Sequence, residues 1–179
     1  LMDLGVISVR YARALLKCAL QQKIENNVYE DMQNLYNSYL QVPELRQTVD
    51  NPMLQKEQKR HILEVACGGE VTDLVKRFLQ LVLEDDREST LQFMAASYIT
   101  LFRKNKNIIR GKLTTAVPVS PETEDKMRKM VELKTNGTVE FNTEVDPSII
   151  GGFILEYDTY RLDASVKHKL QTILSQLKK

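Results

Sequence analysis

The chain has 179 residues, 25 Lys and Arg against 24 Asp and Glu, and a formal net charge of +1 at pH 7. With 42% hydrophobic and 27% charged residues, it has the makeup of an ordinary globular protein with room for one large domain or two small ones. The near-neutral charge gives no bulk electrostatic case for nucleic acid or an anionic membrane, and no apolar run of ~18 residues is present to span a bilayer.

Leu1 ahead of Met2 reads as an added residue, and no signal or transit pattern opens the chain. The first periodic stretch, Ser8 to Gln22, predicts a helix. On a helical wheel, Tyr11, Ala12, Ala14, Leu15, Leu16, Cys18, Ala19 and Leu20 cover an arc of roughly 240°, where a surface helix needs a stripe of only ~100°. Such a helix wants apolar neighbours on two sides. One side is its own bundle, and the other is either more of that bundle or a second protein. Ile24 to Val42, ended by Pro43, predicts a second helix with Ile24, Val28, Met32, Leu35, Tyr36 and Tyr39 on one face. A short helical piece, Glu44 to Val49, closes at Asn51-Pro52. Gln55 to Cys67 predicts a fourth helix, with Ile62, Leu63 and Ala66 inward, Lys56, Lys59 and Arg60 in water, and Gly68-Gly69 as its stop. In the fifth, Val71 to Leu83, apolar positions span roughly 200°. Glu84-Asp85-Asp86-Arg87 is a charged turn. Leu91 to Phe102, apolar nearly all round, predicts a sixth helix at the bundle's centre.

Arg103, Lys104, Lys106, Arg110 and Lys112 make a basic run that reads as a solvated linker and a domain boundary. Beyond it the period changes. Leu113, Thr115 and Val117 alternate as a strand ended by Pro118. Ser120-Pro121 opens a helix to about Lys134, with Met127, Met130 and Val131 inward, and Asn136-Gly137 turns the chain. Val139, Phe141, Thr143 and Val145 alternate with Glu140, Asn142 and Glu144 as a half-buried strand, broken by Asp146-Pro147-Ser148. Gly151-Gly152 opens the next strand, Phe153 to Tyr157, and suggests a bulge or a close approach of another backbone. The two strands read as a hairpin on which the last helix packs through Val166, Leu170, Ile173, Leu174 and Leu177, with Lys167, Lys169 and Lys178 outside. The sum is a small α/β domain of about three strands and two helices.

No catalytic or metal-ligating pattern emerges. His61 and His168 are far apart, no P-loop, G-x-S-x-G or H-E-x-x-H occurs, and Glu140, Glu144 and Asp146 read as an exposed acidic face. Cys18 and Cys67 fall in apolar helical patterns and read as reduced, buried thiols. Three function classes stay open on the residues alone. They are an adaptor offering apolar helix faces to a partner, a nucleic-acid-binding module using the basic linker, and an enzyme with a cleft between domains.

V-D-P-S-I-I-G-G-F from Val145, followed by L-D-A-S-V-K-H-K-L from Leu162, resembles the C-terminal signature of the F-type ATP synthase delta subunit family, whose mitochondrial counterpart is the oligomycin-sensitivity-conferring protein. The matching positions are Val145, Asp146, Ile149, Gly151, Gly152, Asp163 and Ser165. Y-A-R-A-L-L-K-C-A from Tyr11 resembles the family's first helix, and E-D-D-R from Glu84 resembles the turn before its sixth. The likeness departs at Asp158 and Ala164, where the family usually has glycine.

The resemblance implies an α+β chain, with an N-terminal six-helix bundle over residues 1–104 and a small C-terminal α/β domain over residues 105–179. It implies a non-catalytic subunit without cofactor or metal, on the cytoplasmic face of a bacterial inner membrane and reaching the membrane only through the complex. The helical domain would bind the N-terminal helix of the alpha subunit, and the C-terminal domain the C-terminal ends of the b subunits. No nucleic acid is implied. It also selects between the two edges of the first helix. Tyr11, Ala14, Leu15 and Cys18, with Arg77, Phe78, Leu81 and Val82 of the fifth helix, would meet the alpha subunit, while Ala12, Leu16 and Ala19 face the core.

Overall fold

A computed structural model describes residues 4–135, 137–157 and 159–177. Asn136, Asp158 and Lys178, named above, lie outside them. The chain is α+β, with eight α-helices and a four-stranded mixed sheet among the described residues. It divides into two compact units, Leu1–Phe102 and Arg103–Lys179.

The first unit carries α1 (Leu4–Gln22), α2 (Glu25–Gln41), α3 (Pro43–Asp50), α4 (Lys56–Ala66) and α5 (Asp73–Glu84), and α6 (Leu91–Asn105) ends three residues into the second unit. Local signals set the ends. Lys23 takes a left-handed φ of 58° and lets Ile24 N–H reach the Ala19 carbonyl, closing α1. Pro43 sits at the start of α3, where its missing N–H costs nothing. Gln55 and Gln58 form a reciprocal cap on α4, and Gly68 and Gly69, at φ 117° and 89°, end it. The core is built from Met32, Leu35, Leu63, Leu79, Met94 and Tyr98, whose hydroxyl donates to the Glu25 carbonyl. Two expectations need correction here. Lys59 is 4% exposed rather than in water, because positions 59, 63 and 66 share one face of α4; its ammonium lies 2.6 Å from the Glu88 carboxylate. α6 is not apolar on every side in use, since Phe93 is about half exposed and lies near the Arg46 guanidinium.

The second unit carries β1 (Ile108–Thr115), α7 (Pro121–Thr135), β2 (Thr138–Val145), β3 (Phe153–Tyr157), β4 (Tyr160–Asp163) and α8 (Val166–Leu177). Strand order is β2-β1-β3-β4, with β1 parallel to β2 and antiparallel to β3. The basic run is therefore not a linker. Arg103 and Lys104 finish α6, and Arg110 and Lys112 alternate with Ile109, Gly111 and Leu113 along the central strand. Gly111 stands opposite both Phe141 and Tyr157, and a Cβ there would come within 2.7 Å of the Phe141 ring. The Phe141 ring thus occupies the space over the strand that a side chain would take.

Nor do β2 and β3 form a hairpin, since β1 lies between them; the hairpin is β3-β4, a strand pair the alternation did not reveal. Leu113, Val131, Val139 and Leu155 form this unit's core, with Met127, Phe141 and Phe153 against it. Met130, placed inward above, is 53% exposed. The inward face of β2 is covered at Val139 and Phe141 but open at Thr143 and Val145, on a strand at the sheet's edge. Every described residue of α8 is exposed. Its packing is confined to the start, where Val166 N–H donates to the Gly151 carbonyl and its side chain sits beside Gly151.

Candidate functional site

α1 and α5 lie in contact, with the Tyr11 ring edge-on to Phe78 and its hydroxyl on Asp85. α1 turns Ser8, Ala12, Leu15, Leu16 and Ala19 into the core and leaves Ala14 and Cys18 outside. α5 buries Val75, Phe78, Leu79, Val82 and Leu83. Between the two helices remains an apolar groove of about 190 Å³, lined by Tyr11, Ala14, Leu15, Cys18, Leu74, Arg77, Phe78 and Leu81. Its floor is nearly closed, with Leu15 and Phe78 at 4% and 7% exposure, and its lip is open, with Leu81 at 48%.

Seven of the eight residues expected to meet a partner thus line one groove. Val82 does not: it is fully buried, because it falls one turn beyond Phe78 on the face toward Leu79 and Leu83. Leu74, four residues before Phe78, stands in its place. Cys18 is also corrected. It is an exposed thiol at the groove, whereas Cys67 is buried and its thiol is pushed up by burial.

The Tyr11 end of the groove is tied down by polar contacts. The Tyr11 hydroxyl donates to Asp85, which together with burial raises it above the ordinary tyrosine value, and Arg87 lies 5.4 Å from its ring centre. At the other end, Asp31 of α2 accepts from both the N–H and the hydroxyl of Thr72, the residue that caps α5. Asp31 is buried, and that burial raises its carboxyl against the lowering effect of the two Thr72 bonds. The groove's α5 wall is therefore fixed at both ends.

The motif residues of the second unit build turns. Asp146 accepts from the Ser148 N–H and hydroxyl, and Asp163 accepts from the Ser165 N–H and hydroxyl. These bonds hold both carboxyls below the usual aspartate value. Ser165 in turn accepts from His168 N–H and caps α8. Ile149 is buried, and Val145 is 45% exposed. Gly152, at φ 75°, lies against the second of these turns. A Cβ on it would lie 2.3 Å from the Ala164 carbonyl oxygen. The close approach expected at the glycine pair is therefore present. Beyond these turns, the apolar stripe Leu170, Ile173, Leu174 and Leu177 of α8 is about half exposed or more.

The far face of the sheet carries charges in pairs, Lys112 with Glu144 and Arg161 with Glu156, and Arg110 stands opposite Glu140. The cations of the basic run are thus spread over a helix end, a turn and a charge-balanced sheet face rather than gathered into one patch. Among the described residues no cluster of His, Cys, Asp or Glu could hold a metal ion, and no helix is long and apolar enough to cross a membrane.

The sequence pattern of the ATP synthase delta (OSCP) subunit family matches residues 7–177. The ATP synthase subunit delta of Phocaeicola vulgatus is 51% identical over 98% of this chain and 95% of its own length. That of Parabacteroides distasonis is 41% identical over 98% of both. A chain in the structure of the Toxoplasma gondii mitochondrial ATP synthase hexamer is 23% identical, with a TM-score of 0.65 over 96% of this chain and 97% of that one, a likeness of fold.

Proposed function

The chain belongs to the ATP synthase delta (OSCP) subunit family, and on that premise we propose that it is a non-catalytic peripheral-stalk subunit of a proton-transporting F-type ATP synthase. Residues 1–104 act as a six-helix bundle whose α1–α5 groove receives the N-terminal helix of an alpha subunit. Residues 105–179 act as a second domain that receives the C-terminal ends of the b subunits, with α8 as its apolar face. The subunit sits peripherally on the cytoplasmic face of a bacterial inner membrane and reaches that membrane only through the complex.

The observation that carries this reading is an open apolar helix face on each unit, the groove on one and α8 on the other. A chain with two such faces joins two partners. In a rotary machine the joint between head and stalk must withstand torque without chemistry, so that the head stays still while the rotor turns. Apolar helix packing suits that task. A nanomolar joint needs about 12 kcal/mol net, within reach of an interface of about 1,600 Å².

The test is co-purification from membranes of a strain carrying single substitutions. Leu81→Asp should lose the alpha-bearing head and keep the b subunits, while Leu174→Asp should do the reverse. Loss of both partners in each variant, or of neither, would show that the two faces do not divide the work this way.

A further inference from the structure

The groove's lining carries one charged side chain, Arg77, and no carboxylate, and Asp85 at its Tyr11 end accepts from the Tyr11 hydroxyl. Glu84 and the Lys56–Asp86 pair belong to the α4 side of α5, and Asp73 at the start of α5 pairs with Lys76. Arg77 lines the α5 bank, and Arg13 and Lys17 flank Ala14 on the α1 bank; none of the three makes an ion pair among the described residues. Ala14 belongs both to the groove and to a shallow surface beyond it, where Val6 and Val9 are 66% and 36% exposed between Arg10, Arg13 and Lys17. The apolar strip therefore continues over the edge of α1, with positive charge on both banks.

We infer that the helix received here is acidic, with Asp or Glu three or four residues apart along the flanks of its apolar stripe. This rests on the groove being a helix-docking site. Carboxylates at that spacing would face Arg13 and Lys17 on one side and Arg77 on the other, giving an unpaired positive rim its complement. A flat anionic bilayer fits less well. A plane laid across the two banks meets the exposed cations but leaves the recessed apolar floor of Leu15 and Phe78 unfilled, whereas a helix fills it. The charge complement sets which helices dock and how fast, while the apolar floor of Leu15 and Phe78 supplies the affinity.

Two synthetic amphipathic peptides with one leucine stripe, one Glu-flanked and one Lys-flanked, test this by calorimetry on the full chain. The Glu-flanked peptide should bind roughly tenfold tighter or more at low salt, and the gap should narrow as salt screens exposed pairs. Lys17→Glu with Arg77→Glu, both exposed positions, should invert the preference. If that reversal disturbs folding by circular dichroism, Lys17→Ala with Arg77→Ala should still abolish the preference. Equal binding of the two peptides, lost in Leu81→Asp, would leave the groove standing and overturn the charge inference. Binding of neither peptide would overturn both. Binding to phosphatidylglycerol vesicles that the Glu-flanked peptide does not compete would overturn it in favour of a membrane surface.

Discussion

Lys59 and Glu88 form an ion pair inside the first unit, 2.6 Å apart, with their side chains 5% and 14% exposed. The second carboxylate oxygen of Glu88 is buried and without a hydrogen-bond partner among the described residues. Such a pair is fragile to the loss of one member, because the other is left as an uncompensated buried charge. Lys59→Met should therefore cost about 3 kcal/mol, and Lys59→Met with Glu88→Leu should recover most of it. Urea unfolding followed by circular dichroism reads both. A double variant no better than the single one would mean that the pair is not electrostatically coupled.

Leu81 and Val82 are neighbours in sequence with opposite fates, 48% and 0% exposed. Leu81→Asp should leave the free chain folded and abolish peptide binding at the groove. Val82→Asp should unfold the first unit, since a lone charge in an apolar core costs several kcal/mol. Ala14→Asp should behave as Leu81→Asp does. A folded Val82→Asp chain would contradict the placement of that residue.

Gly152→Ala should destabilise the second unit by about 2–4 kcal/mol, from a left-handed backbone and a Cβ forced against a carbonyl oxygen. Ile150 poses the reverse case. It holds a φ of 72° with its side chain 62% exposed, so Ile150→Gly should relieve strain and stabilise by about 1 kcal/mol. Amide exchange on β1 and β3 reports each change, with the amides of α2 and α6 as the unaffected internal standard.

Much of this architecture was legible in the sequence, and each failure has its own physical cause. Helix limits in the first unit fall within a few residues of those read from periodicity, because each helix lays one apolar face on a core. The start of β1 was hidden because Ile108 to Lys112 reads I-I-R-G-K. Its inward position 111 is a glycine facing Phe141, and its outward positions are cations, so the alternation looked like a linker. The β2-β1-β3 order was hidden because pairing across α7 is non-local, while the usual expectation is that strands adjacent in sequence are adjacent in space. Periodicity showed that α1 had too much apolar surface for one partner, but not which edge stays open; the family resemblance supplied that choice. Lys59 was misplaced for its charge alone.

Asp31 offers a pH readout. Its folded carboxyl is raised by burial, so the neutral form is favoured by folding. That contribution is present below about pH 3.9, the unfolded value, and is lost as pH rises through the folded one. Asp31→Asn keeps an acceptor for Thr72 without the charge. It should therefore flatten the fall of stability that begins above about pH 4 and cost little at neutral pH, whereas Asp31→Leu should lose about 1–3 kcal/mol by stranding the Thr72 donors. Thermal melts across that range measure it. An Asn variant with an unchanged pH slope would assign the slope to other carboxylates.

Trypsin should distinguish the ends of the basic run. First cuts are expected at Lys104 or Lys106, before the sheet begins, and not at Arg110 or Lys112, which are held in β1 by neighbours on both sides. Mass spectrometry of the early fragments identifies the bonds. Early cleavage after Lys112 would mean that β1 opens readily.

The central position of β1 also has a mechanical meaning. The chain passes from α6 through a short turn into this strand, which is bonded to β2 along eight residues and to β3 along five. Tension applied along β1 would act across ladder bonds that run sideways to its neighbours. Those bonds are loaded in shear and yield together, unlike an edge strand peeled away one bond at a time. A sheet loaded through its central strand gives way only when many ladder bonds break at once.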